Sequence, residues 1–277
     1  MKEVIFPLYV YFEKLGLLEK KLKVSLYTKI NYFIIWRKTF EYIFPNVKFT
    51  MNNGSKPKEF DIEILYYWSM VKPGNKKKYN QGIRKKDLDS FCQYLEKVIP
   101  KPKDNCQYDI ILIKRSQKPI SQYYESLKNN KSTNRALKGV TEGYKYIKNA
   151  WSVYQLICSE FPSKSVLQVD LVDLDFPQRF HYFRNAKVLI GQHGAALVQS
   201  MFMKDDSHVI EYVNKTYYQM GFSRQICMAR KIKYHYCIYP GSVFRIIDID
   251  RKELIDKVND IYKGKYENQK EFPMKPL

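Results

Sequence analysis

From Tyr108 onward, short apolar runs alternate with stretches in which apolar residues recur every three or four positions. Tyr108 to Ile113 has the length and unbroken apolarity of a buried strand. Ser165 to Val169, Lys187 to Gly191, Val209 to Val213 and Ile232 to Ile238 repeat that signature. Between these runs the period changes. Thr141 is placed to cap a helix with Ile147, Trp151, Tyr154 and Cys158 inward, and Phe176, Phe180 and Phe183 mark a second helix face. Ala195 to Met203 and Tyr217 to Arg230 read as helices, and Asp250 caps a last one with Leu254, Val258 and Ile261 inward. Strands alternating with helices imply parallel pairing and right-handed crossovers, so this part of the chain is predicted to be a Rossmann-like α/β layer.

The earlier pattern is sparser. Val4 to Phe12 is a nearly continuous apolar run and reads as a strand. Ile30, Phe33, Ile34, Arg37, Phe40, Ile43 and Phe44 follow helical spacing that stops at Pro45. Ile62 to Trp68 reads as a buried strand, and Asp87 is placed to cap a helix whose inner face is Leu88, Phe91, Cys92, Leu95 and Val98. The run Pro100-Lys101-Pro102-Lys103-Asp104-Asn105 interrupts both patterns and marks the boundary. An N-terminal α/β lobe over 1–103 and a Rossmann-like lobe over 104–277 follow.

Composition narrows the class. With 45% hydrophobic and 27% charged residues the chain can build a core, and its 43 scattered aromatic rings exclude collagen-like and coiled-coil folds. The 48 Lys+Arg against 28 Asp+Glu leave a net charge of +20, which favours polyanionic partners. The lysines are dispersed in short runs such as Lys76-Lys77-Lys78, however, as on an ordinary solvated surface. Cys92, Cys106, Cys158, Cys227 and Cys237 are odd in number and lack C-x-x-C spacing, which argues for reduced thiols rather than disulfides or zinc. No signal peptide and no membrane span are read, so a cytoplasmic protein is expected.

The segment with most chemical content is Val188-Leu189-Ile190-Gly191-Gln192-His193-Gly194-Ala195-Ala196-Leu197. A strand ends at Gly191, Gly194 lets a ligand approach the backbone, and small residues open a helix. Free N–H groups at such a helix start suit a phosphate. A turn histidine bonded to backbone is the plainer reading of His193. Glu211, near the end of the next strand, can accept two ribose hydroxyls, or else be a solvent-facing strand-end carboxylate.

This segment, with Phe180-x-x-Phe183-Arg184-Asn185-Ala186-Lys187 before it and Met201-Phe202-Met203 and Val209-Ile210-Glu211 after it, resembles the core of family-61 glycosyltransferases. These include plant xylosyltransferases and the EGF-domain-specific O-GlcNAc transferase. The resemblance extends to Ile110-Ile111-Leu112-Ile113-Lys114-Arg115 and to Ile147-Lys148-Asn149, and covers about residues 108 to 240. It implies a GT-B-like architecture of two Rossmann-like lobes with a cleft between them. The C-terminal lobe would hold the nucleotide-sugar, and the last helix would pack back on the first lobe. Arg115, Gln192, His193, Gly194, Ala195 and Glu211 would bind the donor. The chain departs from the family at Pro177-Gln178, where Glu-Gln is usual.

Asp170, Asp173 and Asp175 include a D-x-D, which could hold a cation on a diphosphate. A loop with Asp175 at a helix start is the alternative. No metal and no cofactor are expected. For the catalytic base, a first-lobe carboxylate is required by that architecture, and Asp61 is preferred over Glu59, Glu63 and Asp87. Tyr66, Tyr67 and Trp68 could stack on acceptor sugars or fill the core. The expectation is an inverting, metal-independent transfer of xylose or N-acetylglucosamine from a UDP-sugar to a glycan or glycoprotein hydroxyl, with no specific nucleic acid bound. A basic nucleic-acid-binding module is the alternative from another class, and a steep salt dependence of binding would identify it.

Overall fold

In the computed structural model, which describes residues 5–27, 39–52, 62–65, 84–102, 107–114, 147–214, 222–240 and 246–265, the strands form two all-parallel sheets. The chain divides into two compact units, Met1–Pro100 and Lys101–Leu277.

The first unit holds α1 (Ile5–Lys14), β1 (Leu22–Tyr27), β2 (Val47–Asn52), β3 (Ile62–Leu65) and α2 (Lys85–Val98), with strand order β2-β1-β3. The strand expected over Val4–Phe12 is thus the helix α1. Ile5, Leu8, Tyr9 and Phe12 are buried at helical spacing, and Pro7 sits in the first turn, where no intrahelical N–H is needed. An all-apolar stretch carries no period to separate the two states. Residues 39–43 are helical and stop before Pro45, as the spacing predicts. Asp87 is not the cap of α2 but lies inside its first turn, where it accepts from Arg84 Nε and Nη2 at 2.7 and 2.8 Å. Leu88, Phe91, Cys92 and Leu95 are buried, and the last inward residue is Ile99 rather than Val98. Rings supply this small core: Phe91 meets Phe6 and Tyr9 with centroids 5.5 and 4.8 Å apart, and Phe12 meets Phe44 edge-on at 5.4 Å. Each large ring removes much apolar area from water, which lets a three-stranded sheet be covered.

The second unit holds β4 (Ile110–Ile113), α3 (Ala150–Glu160), β5 (Val166–Val169), α4 (Phe176–Asn185), β6 (Val188–Gln192), a 3₁₀ segment (Ala195–Phe202), β7 (His208–Asn214), α5 (Phe222–Arg230), β8 (Lys233–Tyr239) and α6 (Arg251–Tyr262). The strand order is β5-β4-β6-β7-β8. One face of the sheet, with Ile110, Leu112, Val188, Ile190, Ile210 and Tyr212, packs on Val153 and Ile157 of α3 and on Leu254, Val258 and Ile261 of α6. The 3₁₀ segment contacts α4, α5 and β6.

Two expectations for the helices change. The inward face of α3 is Ala150, Val153 and Ile157, and Trp151 is 61% exposed. Ile147 is buried ahead of the helix, in a parallel bridge to Ile247. The cap position belongs to Asn149, whose side chain donates to the Ile249 carbonyl at 2.8 Å and accepts from the Ile249 N–H at 2.9 Å; Thr141 lies outside the described residues. The segment after Gly194 is wound as 3₁₀ rather than α, with Leu197 N–H bonded to the Gly194 carbonyl three residues back. Asp250 caps α6 as read, accepting from Glu253 N–H at 3.0 Å. Cys92, Cys158, Cys227 and Cys237 are not in disulfides, and Cys106 lies outside the described residues. Among the described residues no helix is long and apolar enough to cross a membrane.

Candidate functional site

The chain leaves β4 to one side for β5 and returns to the other side for β6, so the strand order reverses between β4 and β6. In an open parallel sheet the connections diverge at such a point and leave a crevice at the carboxyl ends. Ile113 pairs with Gly191 at that edge. A Cβ on Gly191 would stand 3.1 Å from Leu197 Cδ2, so the bare backbone lets the 3₁₀ segment settle against β6. Beyond Gln192 the backbone turns: His193 N–H donates to the Tyr212 carbonyl at 2.8 Å, and Gly194 takes φ 151°, ψ −176°, a region essentially closed to residues with a Cβ. Ala195 is exposed at the mouth.

Register explains what stands behind His193. Gly191 pairs with Glu211, and Val209 pairs with Tyr234, so Glu211 and Tyr234 share a sheet face as diagonal neighbours. His193 Nδ1 lies 2.6 Å from Glu211 Oε1, and Tyr234 OH donates to Glu211 Oε2 at 2.6 Å. The Glu211 side chain is 0% exposed and that of His193 12%. A buried carboxylate needs such partners, and one that accepts at Nδ1 fixes the ring's tautomer and orientation. Burial first, and then the Glu211 charge, push the Tyr234 hydroxyl well above its ordinary range, so it remains a donor. The Cys227 thiol is pushed up by burial first and then by Glu211.

Glu211 is thus buried rather than solvent-facing, and each of its oxygens has a hydrogen-bonding partner, His193 on one side and Tyr234 on the other. The structure brings Gln192, His193, Gly194, Ala195 and Glu211 to one sheet edge. Gln192 is buried and donates through Nε2 to Tyr239 OH at 3.2 Å, which secures the end of β6 to β8. Arg115 and Asp61, with Tyr66, Tyr67 and Trp68, lie outside the described residues. Tyr234 was not singled out from the sequence; aligning β7 with β8 in parallel register is what reveals it.

The D-x-D segment is local structure. Asp170 accepts from Val172 N–H at 3.3 Å. Asp175 caps α4, accepting from Gln178 N–H at 2.8 Å while Gln178 Oε1 accepts from Asp175 N–H at 3.1 Å. Pro177 in the first turn of α4 loses nothing by lacking an N–H. Among the described residues no three His, Cys, Asp or Glu side chains cluster as a metal site.

A parallel sheet that reverses its order beside a glycine turn and a carboxylate-held histidine defines an open α/β protein of the kind that takes its ligands at the carboxyl ends of the strands. The particular family follows from comparison: the Glycosyltransferase 61 family model matches residues 64–210, more than half of the chain, and the protein belongs to that family and is a glycosyltransferase. That membership replaces the nucleic-acid-binding alternative. No curated protein matches the chain significantly.

Proposed function

We propose that the protein transfers a sugar from a UDP-sugar to a hydroxyl of a glycan or glycoprotein, with inversion and without a metal ion. In this reading it is a GT-B-like cytoplasmic enzyme, with residues 1–103 on the acceptor side and 104–277 on the donor side. The observation that carries it is the His193–Glu211–Tyr234 chain at the carboxyl end of β6. The donor diphosphate lies against the N–H groups at Gly194 and Ala195, with His193 aimed at it by Glu211. Arg115, which follows β4 in sequence, adds charge-assisted hydrogen bonds. The acceptor oxygen attacks the anomeric carbon, the bond from that carbon to the diphosphate breaks, and UDP leaves with the electron pair. Asp61 takes the hydroxyl proton. Donors at a diphosphate leaving group need stabilisation of the departing negative charge, which oriented N–H groups and Arg115 provide. By family resemblance xylose and N-acetylglucosamine are the first donors to test.

The test is a panel of UDP- and GDP-sugars, read by melting temperature and by nucleotide release with and without acceptor. UDP and at least one UDP-sugar should stabilise the protein, and His193→Ala should lower transfer by about a hundredfold or more while leaving the fold intact. A parent protein that no nucleotide stabilises would sink the proposal.

A further inference from the structure

The 3₁₀ segment that opens after Gly194 is held at its far end by two arginines. A helical segment finishes in carbonyls with no partner inside the segment, and such groups cost free energy when they are buried without a donor. Phe202, the last residue of the segment, and Met203, its cap, are both 0% exposed, so water cannot serve them. Arg184, in the last turn of α4, donates through Nη1 to the Phe202 carbonyl at 3.3 Å. Arg230, in the last turn of α5, donates through Nε and Nη2 to the Met203 carbonyl at 3.2 and 2.6 Å.

Arg230 is itself only 1% exposed. Taking a guanidinium out of water is costly, and an apolar side chain of similar volume would fill the same space without that penalty. What the guanidinium adds is direction. Two N–H groups converging on one oxygen fix where the carbonyl stands, and a cation at the carbonyl end of a helical segment complements its dipole. Leu197, seated against Gly191, sets the distance of the segment from β6, while the arginines set where the segment ends. At about 2.0 Å of rise per residue, that fixed point is carried roughly 14 Å back to Ala195 at the mouth. Arg230 is too deep and too distant to touch a ligand there, so any effect it has on binding passes through the segment.

We infer that Arg230, with Arg184 beside it, is a positioning residue for donor binding: it anchors the far end of the 3₁₀ segment so that the N–H groups at Gly194 and Ala195 stay aimed at the diphosphate. The donor part of this assignment rests on the reading given above; the anchoring does not.

The experiment uses the full chain with Arg230→Met, Arg230→Lys and Arg184→Met, and with Ile157→Ala as a control for lost stability alone. Ile157 belongs to a core cluster to which the 3₁₀ segment contributes no residue. Two quantities are read well below each melting temperature. One is hydrogen exchange at the Leu197 amide, which bonds to the Gly194 carbonyl, and the other is UDP affinity by calorimetry. Arg230→Met should speed Leu197 exchange beyond that of Ile157→Ala and weaken UDP about tenfold, as N–H groups displaced by a fraction of an ångström would. Arg230→Lys still brings a charged donor to the one carbonyl and should restore most of both. Arg184→Met removes the longer bond and should shift both less, in the same direction; it carries the test if Arg230→Met does not fold. Ile157→Ala should lower the melting temperature and leave UDP affinity as in the parent. If Leu197 exchanges no faster in Arg230→Met than in the control, or the two variants weaken UDP alike, the arginine serves stability only and the positioning assignment is wrong. If exchange quickens while UDP affinity holds, the anchor is real and its link to the donor is wrong. A parent that does not bind UDP counts against the donor site itself, and the exchange result then decides the anchor independently.

Discussion

Replacing Tyr234 by Phe removes one oxygen atom and one hydrogen bond, and the structure fixes what that costs. The hydroxyl donates at 2.6 Å to a carboxylate oxygen that is fully buried, so water cannot take its place. Hydrogen bonds to charged groups are worth about 1.5–3 kcal/mol, and an uncompensated buried acceptor puts the loss in the upper part of that range. For a unit of the size of Lys101–Leu277, about 2–4 °C of melting temperature per kcal/mol gives a fall of roughly 4–12 °C. The assay is thermal and urea unfolding of parent and Tyr234→Phe, followed by the same change in a Glu211→Leu background. There the tyrosine hydroxyl has no carboxylate to serve, so its removal should be neutral or slightly stabilising. A Tyr234→Phe protein that melts within about 1 °C of the parent, or an equal loss in both backgrounds, would refute the buried chain behind His193.

Arg115→Ala should weaken UDP by roughly ten- to a hundredfold in calorimetry, the equivalent of one or two charge-assisted bonds. Transfer should survive EDTA, and Asp173 and Asp175 replaced together by Asn should leave it largely intact, because Asn caps α4 as well as Asp does; activity lost in EDTA and restored by Mn²⁺ contradicts this. Gly194→Ala should cost about 1–3 kcal/mol in urea unfolding and lower transfer, since its φ of 151° is closed to alanine. Acid should also destabilise the sheet through His208 and His235, which are buried and share a 2.9 Å hydrogen bond. Burial, then Lys187 and Lys233, hold His208 down at about 4, and burial, then His208, holds His235 at about 3. The unfolded chain takes up these protons near pH 6.5 and the native protein does not, so the stability present above pH 6.5 is lost as pH falls towards 4 and 3. By pH 4.5 the pair should cost on the order of 5 kcal/mol, and His208→Leu with His235→Leu should flatten that part of the urea-midpoint profile.

The alternation of strands and helices beyond Tyr108 was legible because buried parallel strands are short and uniformly apolar, while the helices between them are amphipathic. Val4–Phe12 misled because an all-apolar stretch has no period, and only its packing against Phe91 chooses the helix. Trp151 was placed inward because its spacing with Tyr154 and Cys158 is helical, yet Ala150, Val153 and Ile157 are spaced as well and cover the sheet more closely. At the site, the turn Gln192-His193-Gly194 could be read from glycine chemistry alone. The partnership of Glu211 with His193 and Tyr234 could not, because it depends on which residues of β6, β7 and β8 stand side by side, and register is a property of the assembled sheet.

The family match ends at residue 210, whereas the sheet does not. Glu211, the rest of β7, and all of α5, β8 and α6 come later in the chain, and they supply Tyr234, the partner strand of β7 and the apolar face of α6 that covers Ile210 and Tyr212. A fragment cut where the similarity stops would end within β7, after Ile210, and would leave β6 beside an incomplete strand as a raw edge, a template for pairing with other chains. The matched stretch is therefore smaller than the sheet it belongs to, and part of the wall behind His193 lies beyond it: Tyr234, which holds the second oxygen of Glu211, stands on β8.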